Sequence, residues 1–228
     1  MNSVGAVLFD LDGTLADTAP DLAHALNETL RAHGRAPLPY EVIRPHVSHG
    51  GAALIRLGFG ITPEQEGFEA RRRHLLRIYQ QNICRRTRLF PGMAEVLEIL
   101  ARHRIPWGIV TNKPGWLTEP LIRRLSLPAP PGCVVSGDTC PERKPHPMPL
   151  LHAARRLGVD PRHCLYVGDA ERDMVAGRAA GMATVCALFG YLAAEDNPTD
   201  WPVDHLIETP EALLGLLSIE AVHSGARC

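Results

Sequence analysis

Four short stretches carry residues that could do chemistry together. Asp10-Leu11-Asp12-Gly13-Thr14 sets two carboxylates two positions apart. In extended chain, residues i and i+2 point to the same side, so both acids can face one ligand. Gly13 lets the backbone turn and approach that ligand closely. Thr111-Asn112-Lys113 offers a hydroxyl, an amide and an ammonium, and Arg143-Lys144-Pro145 adds a second lysine. Gly168-Asp169, with Asp173 four residues on, adds two more acids. Clustered carboxylates repel and call for a cation. Oxygen donors without His or Cys select Mg²⁺, which takes a few carboxylates, water and a substrate phosphate. A carboxylate beside such a metal can attack phosphorus and form an aspartyl-phosphate. A second acid can protonate the leaving oxygen and then activate water. Lysine and threonine can hold the phosphoryl oxygens and neutralise developing charge.

Taken singly, each stretch has an ordinary use. Asp12-Gly13 suits a turn, Thr111 a strand end and Lys144 a solvated surface. Asp169 and Asp173 suit the first turn of a helix. What precedes them joins them. Gly5 to Phe9, Trp107 to Val110, Cys133 to Val135, Cys164 to Val167 and Ala183 to Cys186 are short apolar runs without alternation. His205 to Ile207 is a weaker one. Such runs predict strands buried on both faces of a parallel sheet. Three of the reactive stretches follow a run directly, and a doubly wound sheet binds its ligands beyond the carboxyl ends of its strands.

Helical patterns fall between the runs: Met93 to His103, Pro147 to Leu157, Asp173 to Ala180 stopped by Gly181, and Pro210 to Leu217. Alternating strand and helix implies right-handed crossovers, hence an α/β fold with a doubly wound parallel sheet. Between Asp17 and Arg88 the pattern is helical only. Leu22, Leu26 and Leu30 share a face, with Pro20 near the start and Gly34 past the end. Ile43 to Val47 and Ala52 to Leu57 read as shorter pieces, and Thr62 as the N-cap of a long helix reaching about Cys84. The expected organisation is a core of residues 1–16 and 89–228 with a small helical cap, 17–88, inserted after the first stretch.

Composition removes other classes. The chain has 228 residues, 45% of them hydrophobic, with 24 Lys and Arg against 25 Asp and Glu for a formal net charge of −1. No bulk basicity points to nucleic acid. No apolar run of about 18 residues spans a membrane. Met1 to Asp10 has no basic segment ahead of its apolar run, so no signal peptide is expected. The six cysteines, Cys84, Cys133, Cys140, Cys164, Cys186 and Cys228, form no CxxC pair, and reduced thiols in a cytoplasmic protein are the expectation. The eleven histidines lack zinc-site spacing.

Asp10-Leu11-Asp12-Gly13-Thr14-Leu15, Thr111-Asn112, Lys144-Pro145 and Gly168-Asp169-Ala170-Glu171-Arg172-Asp173 resemble, in order, the four motifs of the haloacid dehalogenase-like superfamily. The resemblance implies that Asp10 is the nucleophile and a Mg²⁺ ligand. Asp12 would be the general acid/base and lend its backbone carbonyl to the metal. Thr111, Asn112 and Lys144 would bind the phosphoryl group, Asp169 would ligate Mg²⁺, and Asp173 would support it. Asp12 argues against the dehalogenase branch, which lacks that acid. The helical insert resembles the cap that closes over such sites and excludes water.

Ala19-Pro20-Asp21-Leu22, Thr111-Asn112-Lys113-Pro114 and Gly137-Asp138-Thr139 resemble the phosphoglycolate phosphatase group. Ser48-His49-Gly50-Gly51-Ala52, Phe90-Pro91-Gly92-Met93, Gly190-Tyr191, Glu195-Asp196-Asn197-Pro198 and Trp201 resemble bacterial members of it, some of which hydrolyse N-acetylmuramic acid 6-phosphate. The implied substrate is a small anionic phosphomonoester, either 2-phosphoglycolate or that sugar phosphate. The cap would choose, with His49, Gly50 and Gly51 offering backbone amides to a carboxylate; a tight turn between helices is the plain alternative there. Arg71-Arg72-Arg73 could attract an anion or simply face solvent, and Trp116 could wall the pocket or pack on a helix. Two other functions fit part of the pattern: a hexose-phosphate mutase of the same fold, and a non-catalytic receiver-like module binding Mg²⁺ through an aspartate cluster. A receiver has no helical insert of this size.

Overall fold

The computed structural model describes residues 4–217. Cys228 and the outermost parts of the expected core segments, 1–3 and 218–228, lie outside the described residues. Strand β1 (Ala6–Phe9) is followed by a two-residue strand, β2 (Ala16–Asp17), and then by helices α1 (Ala19–Ala32), α2 (Tyr40–Ile43), α3 (Gly50–Phe59) and α4 (Phe68–Gln81). The chain returns through β3 (Arg88–Leu89) and runs through α5 (Met93–Arg102), β4 (Trp107–Val110), α6 (Gly115–Arg124) and β5 (Cys133–Val135). The described residues then continue through α7 (Met148–Leu157), β6 (Cys164–Gly168), α8 (Glu171–Ala179), β7 (Ala183–Ala187), β8 (His205–Ile207) and α9 (Ala212–Leu216).

Six strands form one parallel sheet in the order β5-β4-β1-β6-β7-β8. This is the expected doubly wound α/β architecture. All four residues of β1 are wholly buried, because β1 has a strand on each side and helices on both faces. The pleat sends Val7 and Phe9 to one face, with Trp107, Ile109, Leu117, Leu121 and Leu213. It sends Ala6 and Leu8 to the other, against Leu150, Ala153 and Ala154 of α7 and Ala176 of α8. Burying a side chain such as Phe9 or Leu8 contributes about 1.5–3 kcal/mol. Beyond the strand, the Asp10 N–H donates to the Val167 carbonyl at 2.8 Å. The ladder therefore runs one residue further and fixes Asp10 at the sheet's carboxyl rim.

α1 runs as its pattern predicts, with Leu22, Leu26 and Leu30 buried and Gly34 at φ +68° beyond its end. The long helix does not begin at Thr62. The Thr62 N–H donates to the Gln65 side chain and the Gln65 N–H to the Thr62 carbonyl, which closes a separate turn. Gly67, at φ +80°, then breaks the chain direction before α4 starts at Phe68. The short piece at Ile43 to Val47 is a 3-10 turn, Arg44–His49, entered at Arg44-Pro45 directly after α2. β2 and β3 pair antiparallel, Ala16 with Leu89 and Asp17 with Arg88, so the helical stretch leaves and rejoins the sheet region at one neck.

Candidate active site

Asp10, Asp169 and Asp173, from the ends of β1 and β6 and the start of α8, are all buried, with one carboxylate oxygen of each within 4.8 Å of the others. Lys144 lies among them with its side chain fully buried. Its Nζ is 2.9 Å from Asp10 Oδ1 and 2.8 Å from Asp173 Oδ1, and it donates to the Val110 carbonyl at 2.9 Å and the Tyr166 hydroxyl at 2.7 Å. Asp10 Oδ1 also accepts the Leu11 N–H at 2.7 Å, whereas Oδ2 has no partner among the described residues. Burial raises the Asp10 carboxyl above its ordinary value against the pull of Lys144. Burial also acts on Asp173, but Lys144 and Arg172 outweigh it and hold that carboxyl below its usual range.

Asp169 is held by Thr14 Oγ1 at 3.2 Å, Ser48 Oγ at 2.7 Å and the Tyr191 N–H at 3.0 Å. A side chain at Gly13 would overlap its carboxylate, so the loop packs directly on it. Burial, then the neighbouring Asp10 and Asp173 charges, push the Asp169 carboxyl up to about 7. A divalent cation among these oxygens would relieve that repulsion, and hard, buried carboxylates suit Mg²⁺. Asp173 is already engaged by Lys144, Tyr166 and the Ala170 N–H. Asp10, Asp169 and the Asp12 carbonyl are the better placed donors; that carbonyl receives only a 3.3 Å contact from Ser48 Oγ.

Asp12 points its carboxylate into the same cavity. Lys113 Nζ holds both its oxygens, at 2.8 and 3.1 Å, and Thr18 Oγ1 donates to Oδ1 at 2.6 Å. Burial alone would lower the Lys113 pKa, but Asp12 reverses this and raises it. The Thr111 hydroxyl, at the end of β4, accepts the Lys113 N–H at 3.2 Å. Asn112 lines the cavity, but its amide is occupied on the Lys144 backbone, Nδ2 to the carbonyl at 2.9 Å and Oδ1 from the N–H at 3.1 Å. It braces the lysine's loop.

A cavity of about 840 Å³ opens above these groups, walled on one side by Asp10, Asp12 and Thr111 and on the other by His49, Gly50 and α4. Arg172 ties the two walls: its Nη2 donates to the Ser48 carbonyl at 2.8 Å and its Nη1 lies 3.5 Å from His49 Nδ1. Burial, then Arg172, lower the His49 pKa. Trp116 stands at the cavity, 45% exposed, while His146 is exposed away from it. Three contributors escape sequence reasoning: Ser48 crosses from the helical insert to Asp169, Tyr166 rises from inside a strand, and Thr18 caps Asp12. The sequence singles out Lys113 with Thr111 and Asn112, but not its pairing with Asp12.

Residues 7–187 match the model of the family described as haloacid dehalogenase-like hydrolase, and the chain belongs to that family. Among curated proteins it is 42% identical over 208 residues to a phosphoglycolate phosphatase of Xanthomonas campestris pv. campestris, covering 91% of this chain and 94% of that one. It is 39% identical over 205 residues to an N-acetylmuramic acid 6-phosphate phosphatase of Pseudomonas putida, covering 90% and 92%. A solved structure of a predicted phosphoglycolate phosphatase from Haemophilus somnus 129pt superposes with a TM-score of 0.81 at 26% identity, covering 95% of this chain and 99% of that one.

Proposed function

We infer that this chain, a phosphomonoester hydrolase by its family and its relatives, is a Mg²⁺-dependent phosphatase that works through an aspartyl-phosphate on Asp10. The observation that carries the reading is the state of the Asp10 carboxylate. One oxygen is pinned by Lys144 and the Leu11 N–H, and the other has no partner among the described residues, in a side chain that lines the cavity together with Asp12.

Asp10, Asp169 and the Asp12 carbonyl would hold Mg²⁺, which when bound draws charge from the phosphoryl oxygens. Asp10 Oδ2 attacks phosphorus; the new O–P bond forms as the ester O–P bond breaks. Asp12 gives its proton to the leaving alkoxide, and Lys113 and Thr18 fix the plane of its carboxylate. Asp12 then takes a proton from water, whose oxygen attacks phosphorus, breaks the Asp10–P bond and releases inorganic phosphate. Lys144 and Thr111 hold phosphoryl oxygens, and Lys144 keeps the Asp10 and Asp173 charges neutralised throughout. Residues 17–88 act as a cap over the reaction, with His49 and Gly50 at the substrate, and the relatives' names support 2-phosphoglycolate or N-acetylmuramic acid 6-phosphate as the ester.

The test is turnover of an aryl phosphate with Mg²⁺ and with EDTA, coupled to mass analysis of the rapidly quenched enzyme. Magnesium-dependent release of inorganic phosphate and a phosphoryl adduct on the Asp10 peptide are expected. Full activity in a verified metal-free sample would overturn the metal, and an adduct on another residue would overturn the nucleophile. Transfer of the group back to a sugar rather than to water would indicate a mutase.

A further inference from the structure

On the side of the cavity away from the carboxylates, charge is distributed in a way that the phosphoryl chemistry does not use. Arg72, Arg73 and Arg77 of α4 line it, and Arg143 and Arg172 approach from the sheet side. Three of these five have work elsewhere. Arg72 pairs with Glu69 at 3.2 Å, Arg143 donates to the Gly137 carbonyl at 2.7 Å, and Arg172 holds Ser48. Arg73 and Arg77, one helical turn apart on the same face, have no hydrogen bond or ion pair among the described residues. Among the described residues no acid lines this wall: the cavity's carboxylates are Asp10 and Asp12, and Asp12 is paired to Lys113. Tyr79 of the same helix is buried against Lys113, whose Nζ lies 4.7 Å from its ring centroid, so it belongs to the carboxylate side and leaves Arg73 and Arg77 as the unengaged groups of this wall.

Size constrains the ligand as well. Cavities of roughly 300–1,000 Å³ enclose drug-sized molecules, and this one measures about 840 Å³. A two-carbon acid held at Asp10 by its phosphate would leave most of that space empty and its carboxylate close to the sheet. A ring-sized body would reach across, past the exposed indole of Trp116, to α4.

We propose that Arg73 and Arg77 form an anion subsite, and that the substrate is a ring-sized phosphomonoester carrying a second negative group at the end remote from its phosphate. This rests on the phosphatase reading above and names the substrate class for the same site. A guanidinium–carboxylate contact is charge-assisted and geometrically selective. Formed with the remote end of the substrate, it aligns the ester for attack.

The experiment compares kcat/KM for four substrates on the full chain with Mg²⁺: an aryl phosphate, 2-phosphoglycolate, N-acetylglucosamine 6-phosphate, and N-acetylmuramic acid 6-phosphate, which adds a carboxylate-bearing ether to the same sugar. The wild type should favour the last over its uncharged counterpart and over 2-phosphoglycolate by roughly tenfold or more, the scale of one charge-assisted hydrogen bond. R73A/R77A should lose at least tenfold more on N-acetylmuramic acid 6-phosphate than on the aryl phosphate, chiefly in KM, and R73K/R77K should recover part of the difference. Equal use of the two sugar phosphates by the wild type would overturn the proposal. So would an equal loss on all substrates in the double variant, or a preference for 2-phosphoglycolate. No turnover of any substrate with Mg²⁺ would instead overturn the phosphatase reading itself, so the two failures are distinct.

Discussion

The cavity has two unlike walls. On the sheet side, the side chains of Asp10, Lys144 and Asp173 are at most 4% exposed and bound to one another. On the α4 side, Arg73 and Arg77 stand in solvent with no partner among the described residues. The first wall has its charges arranged before any ligand arrives, the condition under which fixed dipoles and charges stabilise a transition state without reorganising. The second presents long, exposed side chains whose ordering on a ligand would cost side-chain entropy. Substitutions should therefore have large, substrate-independent effects at the first wall and small, substrate-dependent ones at the second.

Asp10→Asn should have the largest effect. It keeps the shape and removes the attacking oxygen, so turnover should fall by roughly 10⁴–10⁶-fold on every substrate, with no phosphoryl adduct in a quenched sample. Residual turnover within a factor of ten of wild type would break the contrast at its centre. Asp12→Asn should follow, losing about 10²–10⁴-fold, most severely for esters with poor leaving groups. An aryl phosphate, whose leaving oxygen needs less protonation, should suffer less, and a uniform loss would argue against the acid role.

Lys144→Met tests whether the first wall is also structural. Removing the lysine bonded to both buried carboxylates leaves uncompensated charge, which costs about 3–5 kcal/mol. For a chain of this size that lowers Tm by roughly 10 °C. Arg77→Ala, an exposed position, should change stability by no more than about 0.5 kcal/mol. Similar melting curves for the two variants would erase the distinction.

Magnesium should act on the first wall with a predictable sign. The Asp169 carboxyl is raised from 3.8 to about 7 in the folded chain, so between those values the folded state binds more protons than the unfolded one. Stability of the metal-free protein then falls as pH rises through that window. Mg²⁺ replaces the lost proton, so the Tm gain on adding it should be larger at pH 8 than at pH 5. A gain that is constant across that range would remove Asp169 from the metal site. A last effect is expected at Gly50, where φ +76° and ψ −174° define a region essentially reserved for glycine. Gly50→Ala should cost about 1–3 kcal/mol through strain and raise KM more than it lowers kcat.

The sheet and the first wall were largely legible, because both depend on residue type. Unalternating apolar runs locate strands such as Trp107 to Val110, and the acids beyond them have few other uses in combination. What stayed hidden depends on tertiary neighbours. Tyr166 reads as one more core residue of its run, and its hydroxyl on Lys144 cannot be inferred from β6. β2 and β3 have two residues each and no period to detect. α6 carries Pro120 inside it, which reads as a helix breaker. Thr62 has the right type for a cap, but Gly67 lies between it and the helix. The partnerless state of Arg73 and Arg77 could not be told from an ordinary solvated run without the cavity beside them.

The neck formed by β2 and β3 has a mechanical consequence. Asp17 and Arg88 are paired in register, and just inside them Asp21 accepts the backbone N–H of Arg86 and Thr87 and the Thr87 hydroxyl. Both passages of the chain are thus fastened at one edge. A body held along one edge can swing like a door but cannot slide like a drawer. Ser48 is the bolt of that door, its hydroxyl resting on Asp169. Any swing that widens the mouth draws the bolt away from the carboxylate, and any return shoots it home. If residues 17–88 act as the proposed cap, admission of a substrate and repair of the hydrogen bonds around Asp169 would be the two ends of a single arc.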